Sequence, residues 1–449
     1  MSQLAFLGGE KSINPEKLSA NLKWPIVTRE DEQAILDVLH TNAMSGTGIT
    51  EKLEEDFCRW LGVKYALGHN NGTNALLAAM WAAGLGRGDE MICPSFTYWA
   101  SVIQVMNLGA TPVFADIDAE TLCISPADIE RRITPRTKAV MVVHYLAHPA
   151  DMDAIMAVAK KHNLKVIEDV SHAQGGIYKG KRLGTIGDVA AMSLMSGKSL
   201  ACGEAGMLVT NDKGIYDRAI AWGHYERFDD RVTTEYLLDY KGLPLGGFKN
   251  RMHQMSAAMC RVQLKYYDER CAVIRKSVDT FWDCLRDYRH ILRPVRVDDS
   301  IGNMAGWYIP CAHYNPEAVE GLSVGTFLKA IRAEGDNASF PGGNAPLHTQ
   351  NLLRTCDIYG DGKPRRIAFS DWDVRQGDAS LPVTGTIQGR IMCVPWFKRF
   401  DKALIEETAA GFIKVMDNYK DLLEMDKGAE VTKGSLHFFA HSKEKDKTG

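Results

Sequence analysis

No apolar run in the 449 residues approaches the roughly 18 that a membrane-spanning helix needs. Neither charge sign is in excess: 53 Lys and Arg face 56 Asp and Glu, a formal net charge of -3. An overall basic field that would gather nucleic acid is therefore missing. Ten cysteines are scattered without one CxxC pair, so no structural zinc site is expected. The opening MSQLAFLGGEKS lacks a basic stretch followed by a long apolar one, so no secretory signal is expected. Reduced thiols and a cytoplasmic location are the simplest reading. His144 and His148 stand four apart, a metal-like spacing, but Ala147-His148-Pro149 reads as a turn and no glutamate completes the motif. No metal is expected. Trp396-Phe397-Lys398-Arg399-Phe400 mixes aromatic and basic residues but is too short and isolated for a nucleic-acid surface.

What is present is ordinary for a large globular enzyme, with 45% hydrophobic and 24% charged residues. The length predicts a large α/β domain and a smaller one. Strand-like stretches at 65–69, 91–93, 112–115, 139–144 and 164–168 alternate with helical patterns at 74–83, 100–107, 127–132 and 152–162. Such alternation predicts a mostly parallel sheet covered on both faces. Two more strands are expected at 188–194 and 205–210. One long helix is expected over 255–288, leading into a smaller α/β domain. The organisation expected is an N-terminal arm (1–30), a large domain (31–254), a connecting helix (255–289), a small domain (290–424) and a mobile tail (425–449).

Three short stretches carry chemistry. Asn70-Asn71-Gly72-Thr73-Asn74 follows a strand and opens a helix. Glycine lets the backbone approach a ligand, and the free N–H groups of a helix start favour an anion such as phosphate. A plain turn capped by Asn74 or Thr73 explains the same residues. Next, Val166-Ile167-Glu168-Asp169 is an apolar strand ending in two carboxylates. Ligands of open α/β sheets gather at such strand ends, where a carboxylate can pair with a protonated ring nitrogen. Asp in that position also serves as an ordinary turn former. Last, Ser193-Leu194-Met195-Ser196-Gly197-Lys198-Ser199, followed by Gly203-Glu204-Ala205-Gly206, sets one lysine among small residues. Burial would help that lysine shed its proton and attack an aldehyde. Ser193, five residues earlier, can donate to a phosphate. Most lone lysines are solvated surface charges, so the signal lies in the order of the three stretches together.

That ordered set resembles the DegT/DnrJ/StrS sugar aminotransferases over residues 24–269 and again over 390–415. The resemblance implies a fold-type-I aminotransferase: a large domain on a mostly parallel sheet and a smaller C-terminal α/β domain. It implies pyridoxal 5'-phosphate as cofactor, Lys198 as its Schiff-base lysine and Asp169 as partner of the ring nitrogen. Gly72, Thr73 and Ser193 would take the phosphate. Tyr98, in Pro94-Ser95-Phe96-Thr97-Tyr98, would stack on the ring, and His172 would lie near its 3-oxygen. Lysine rather than histidine at 198 separates the chain from the dehydratases of the same family. Phe248-Lys249-Asn250-Arg251-Met252 resembles the stretch that reaches into a partner subunit's site, with Lys249, Asn250 or Arg251 as ligand and a homodimer as the working unit. Its order departs from the commoner Asn-aromatic-Arg pattern. Trp24-Pro25, Ser196-Gly197-Lys198 and Pro395-Trp396-Phe397-Lys398 look most like the subgroup that aminates keto-cyclitols such as scyllo-inosose from glutamine. A nucleotide-linked ketosugar is the runner-up acceptor. A non-catalytic regulator on the same fold is a further reading, against which the intact Lys198 and Asp169 argue.

Overall fold

The computed structural model describes residues 3–355, 357, 359–362, 371, 373, 375, 378–426 and 428. Of the tail expected over 425–449, residues 427 and 429–449 lie outside the described residues, as does Cys356.

Seven strands form the main sheet: β1 (Tyr65–His69), β2 (Glu90–Pro94), β3 (Thr111–Ala115), β4 (Thr137–Val143), β5 (Lys165–Asp169), β6 (Val189–Ser193) and β7 (Gly206–Thr210). Their order is β1-β7-β6-β5-β4-β2-β3. Only β7 runs against the others. The sheet is thus mostly parallel, as expected. The central strands read as near-continuous apolar runs because both faces are covered. In β5 the two-residue period sends Glu168 and Asp169, adjacent in sequence, to opposite faces.

The helices begin with α1 (Pro15–Asn21), α2 (Arg29–His40), α3 (Gly48–Leu61) and α4 (Gly72–Ala82). There follow α5 (Pro126–Arg131), α6 (Met152–His162), α7 (Lys213–Gly223), α8 (Gln254–Lys265) and α9 (Tyr267–Cys284). Helix α4, GTNALLAAMWA, is apolar nearly all round because it lies between the sheet and α7. Its Asn71 cap accepts the Asn74 N–H at 2.8 Å.

Two expected helices are not built as expected. The single helix over 255–288 is two, α8 and α9, parted at Tyr266. No Gly or Pro causes the break. Tyr266 reaches outward to Glu30 (2.6 Å), while Tyr267 turns inward to the Gln174 carbonyl and Ser199 Oγ (2.8 Å each). The helix expected over 100–107 is two 3₁₀ turns, Trp99–Ser101 and Ile103–Leu108, joined through a non-helical Val102. Its β-branched Val102, Ile103 and Val105 are poor helix formers, and Ser101 is drawn onto Asp169 (2.7 Å).

A second sheet holds β8 (Leu292–Pro294), β9 (Cys311–Tyr314), β10 (Phe340–Pro341) and β11 (Ile391–Cys393) in the order β8-β9-β11-β10. Helix α10 (Val324–Ala333) packs on β10, and α11 (Lys402–Asp417) packs on α10 and on α9. The N-terminal segment docks here: Ser12 and Lys414 both reach the buried Glu334 carboxylate (2.9 Å each).

Candidate active site

The carboxyl ends of β1, β2, β4, β5 and β6 share one edge of the main sheet, and the loops leaving them converge there. Gly72 opens α4 with its backbone against the end of β6. A Cβ on Gly72 would stand 2.6 Å from Ser193 Cα, so only glycine fits. Gly206 is similarly confined, its would-be Cβ 2.3 Å from the Asn71 carbonyl. Asn71 takes the amides of Asn74 and Ala75. The amides of Gly72 and Thr73 stay at the open end of the first turn, where a helix offers N–H groups without internal partners. Ser193 Oγ accepts the Met195 N–H at 3.3 Å and lies beside that turn.

Asp169 is buried at the end of β5. Ser101 Oγ donates to one carboxylate oxygen (2.7 Å) and the Ser171 N–H to the other (2.9 Å). Glu168, on the opposite face, accepts His144 Nε2–H (3.0 Å) and the amides of Gly184, Ile186 and Gly187 (2.6–2.9 Å). Burial pushes the Glu168 carboxyl up, but those hydrogen bonds outweigh it and hold the group below the usual range. Glu168 thus fastens the 184–187 turn. His144 uses both ring nitrogens, since its Nδ1 accepts the Ala150 N–H (3.1 Å).

Lys198 is buried in the loop between β6 and β7. Burial pulls its ammonium down to about 8, with the Asp169 charge acting in the opposite sense. Its Nζ stands 3.4 Å from Tyr308 Oη. The loop is pinned on both sides. Gln174 donates to the Ser193 carbonyl and accepts from Ser199 Oγ (2.7 Å each), and the Trp24 indole donates to the Lys198 carbonyl (2.9 Å). His172 is buried against Tyr308, ring centroids 4.3 Å apart, and its Nδ1 accepts the Leu146 N–H (3.3 Å). Burial, then the nearby Lys198 charge, keep that imidazole neutral. Tyr98 is half-buried at the rim beside Trp99.

Lys249, Asn250 and Arg251 lie elsewhere. The Asn250 carbonyl accepts the Asn70 N–H (2.8 Å), and Arg251 bridges His69 at the free edge of β1. Asn250 is buried against Gly223, whose missing Cβ makes the room. Lys249 is exposed and Arg251 half-buried. Among the described residues no hydrogen bond joins these three side chains to Lys198, Asp169 or Ser193 of the same subunit.

This arrangement has known counterparts. Residues 25–336 match the DegT/DnrJ/EryC1/StrS aminotransferase family. The chain belongs to that family. This aminotransferase is 39% identical over 258 residues to the GDP-perosamine synthase of Escherichia coli O157:H7, a match covering 57% of this chain and 69% of the relative. It is 30% identical over 419 residues to the L-glutamine:2-deoxy-scyllo-inosose aminotransferase of Streptoalloteichus tenebrarius, covering 89% and 95%. Among solved structures, the aminotransferase from Psychrobacter cryohalolentis superposes with a TM-score of 0.74 at 28% identity, covering 88% of this chain and 98% of that one. Among the described residues, no helix of the aminotransferase is long and apolar enough to cross a membrane.

Sequence reading passed over Ser101, Gln174 and Tyr308, and took Trp24 only as a mark of the subgroup. Gln174 had a usable signal, a buried-type amide two residues past His172 at the end of an apolar strand. Tyr308 had none. It hangs from a turn in which Ala305, Trp307 and Ile309 adopt φ of +44°, +47° and +51°. Such values in non-glycine residues are uncommon and gather at functional sites.

Proposed function

We propose that the aminotransferase binds pyridoxal 5'-phosphate on Lys198 and moves an amino group from glutamine to a keto-cyclitol. The observation that carries the cofactor reading is the buried lysine in one pocket with a buried, doubly hydrogen-bonded carboxylate and an open helix start. These residues suit the group. Asp169 suits a protonated ring nitrogen, the open amides of Gly72 and Thr73 suit a phosphate, and Lys198 is an amine made nucleophilic by burial. The bound cofactor supplies an electron sink for the charge left when a proton leaves the donor's Cα.

The remaining work falls to the chain. Asp169 holds the ring nitrogen protonated, and Ser101 with the Ser171 amide keeps the carboxylate aimed. The amides of Gly72 and Thr73 and the Ser193 hydroxyl bind phosphate. Tyr98 would cover one face of the ring, and the neutral His172 would lie near its 3-oxygen. Lys198 would take the donor's Cα proton as general base. A keto acceptor then enters by the reverse route.

The cyclitol acceptor is supported by extent. The match to the 2-deoxy-scyllo-inosose enzyme covers 89% of this chain, so it takes in most of residues 290–424. A nucleotide ketosugar is favoured instead by local identity, 39% against the GDP-perosamine synthase over 57% of the chain. Half-reactions separate the two. Glutamine is expected to bleach the absorbance of the lysine-bound cofactor faster than alanine or aspartate, and a keto-cyclitol such as scyllo-inosose to restore it. Silence with several keto-cyclitols, alongside turnover of a nucleotide ketosugar, would overturn the acceptor.

We further propose a homodimer in which Lys249 and Arg251 serve the partner's site. Beside them Tyr236, Tyr240, Leu243 and Phe248 are exposed, Leu243 at 76%. Scattered apolar residues are normal on a surface, but a run of them within thirteen positions suits a covered face. Mixing Lys198→Ala with Arg251→Ala, each inactive alone, is expected to restore about a quarter of wild-type activity, because half the dimers are hybrids with one intact site. No recovery in hybrids confirmed by native mass spectrometry would exclude Arg251 from the shared site.

A further inference from the structure

We infer that Lys398 is a positioning residue for the Lys198–Tyr308 pair, gripping two indoles that hold the backbone on either side of that pair; this rests on Lys198 being the cofactor lysine. Lys398 is 3% exposed, and its Nζ has no hydrogen-bond partner among the described residues. Instead the amine lies on the face of Trp396 and 5.0 Å from the ring centroid of Trp24. Burying an amine without a hydrogen-bond partner is costly, and aromatic faces are among the few groups that offset it. Burial pulls the Lys398 ammonium well below its ordinary value, and the acidic group nearby, Cys271, has a thiol that burial pushes up to about 12, so it supplies no counter-charge near neutral pH.

Both indoles point their polar edges toward the reacting residues. Trp24 Nε1–H donates to the Lys198 carbonyl (2.9 Å) and Trp396 Nε1–H to the Gly306 carbonyl (2.8 Å). Gly306 packs on the lysine loop so closely that a Cβ would meet Ser199 Cβ at 2.6 Å. Two residues on, Tyr308 meets Trp396 edge-on at 5.5 Å and faces Lys198 Nζ. Three segments distant in sequence therefore meet at one amine: the N-terminal segment through Trp24, the strained 305–309 turn through Gly306, and the end of β11 through Trp396. With Lys398 gone, both indoles lose the group that sets their tilt, 37° between ring planes. The distance from Lys198 Nζ to Tyr308 Oη is then no longer enforced. The bland alternative is a lysine whose aliphatic stem merely fills space, and methionine would fill it equally well.

The test is capture of pyridoxal phosphate by the apoprotein, fixed by borohydride and mapped by peptide mass, alongside kcat and KM of the holoenzyme. Lys398→Met is expected to slow capture at Lys198 and lower kcat about tenfold each, with the donor KM within about twofold, as misplacement of a reacting group does. Lys398→Arg, which keeps N–H groups between the indoles, is expected to return both to within about threefold of wild type. In a Tyr308→Phe background Lys398→Met is expected to cost less than about twofold more, because residues acting through one contact are not additive. Trp24→Phe keeps a ring but removes the indole N–H. It is expected to reproduce the defect and stands in should Lys398→Met not fold by circular dichroism. Capture and kcat unchanged in Lys398→Met, or the full defect persisting in Tyr308→Phe, overturns the inference. Wild-type label on another lysine overturns the cofactor reading and this inference with it.

Discussion

Lys198→Ala is expected to end covalent retention of pyridoxal phosphate and to bring turnover to background. The reason is local. Lys198 is the buried amine at the strand edge where Asp169 and the α4 start converge, with Nζ free to react apart from one long contact of 3.4 Å to Tyr308. A lysine at its ordinary value leaves about one amine in a thousand unprotonated at pH 7.5, whereas one at about 8 leaves about a quarter. Burial thus raises the concentration of the nucleophile by more than two orders of magnitude. The sign follows: capture by the wild-type apoprotein rises with pH, half-maximal near 8, and levels above it. A midpoint near that of a free lysine would show that burial does not tune the amine. Folding should survive the substitution, because removing a buried amine relieves desolvation rather than breaking a network. Reduction with borohydride and peptide mapping reads the outcome. Covalent label in Lys198→Ala, or on any other lysine of the wild type, would overturn the assignment.

How much of this was legible in the sequence follows from how local each signal is. The parallel sheet could be read because strands and helices alternate within short windows, and each window carries its own period. Lys198 and Asp169 were candidates because three short stretches, each local, stand in one order along the chain, and the fold buries both side chains. Tyr308 and Trp24 stand 110 and 174 residues from Lys198, and only packing brings them to it. The break at Tyr266 was invisible for a plainer reason: no Gly or Pro marks it. Glu168 and Asp169 are the instructive pair. Their identity shows two carboxylates, and the strand period alone separates the one that braces a turn from the one that faces the pocket. Asn250 runs the other way. It was expected among the residues facing a partner's site, yet it is buried against Gly223 of its own subunit, which leaves Lys249 and Arg251 to face outward.

That pairing also sets up the sharpest contrast among variants. Asp169→Asn is expected to lower kcat by about 10²–10⁴-fold while Lys198 still captures cofactor, because the carboxylate acts on charge that develops during proton removal. Shape is nearly conserved, but polarity is not. Both Asp169 oxygens accept, one from Ser101 Oγ and one from the Ser171 N–H. An asparagine offers one acceptor and one donor there, so whichever way it turns, one of those hydrogen bonds is lost or must be reoriented. The ring nitrogen then loses the anion that kept it protonated, and the electron sink weakens. Ground-state binding should change less, since the phosphate contacts proposed for Gly72, Thr73 and Ser193 would be untouched. The loss should therefore appear in kcat and kcat/KM together, with capture at Lys198 within about threefold of wild type. Glu168→Gln is the matched control one residue away. Its carboxylate is held below the usual range by His144 and the 184–187 amides, with burial opposing. The stability it contributes is present above the pKa of the unfolded chain and fades as pH falls through the folded value. Glu168→Gln should therefore lower the melting temperature at pH 7 and flatten its acid dependence, with the rate of proton removal changed far less. Asp169→Asn within about tenfold of wild-type kcat, or a Glu168→Gln rate defect as large as that of Asp169→Asn, would remove Asp169 from the ring nitrogen.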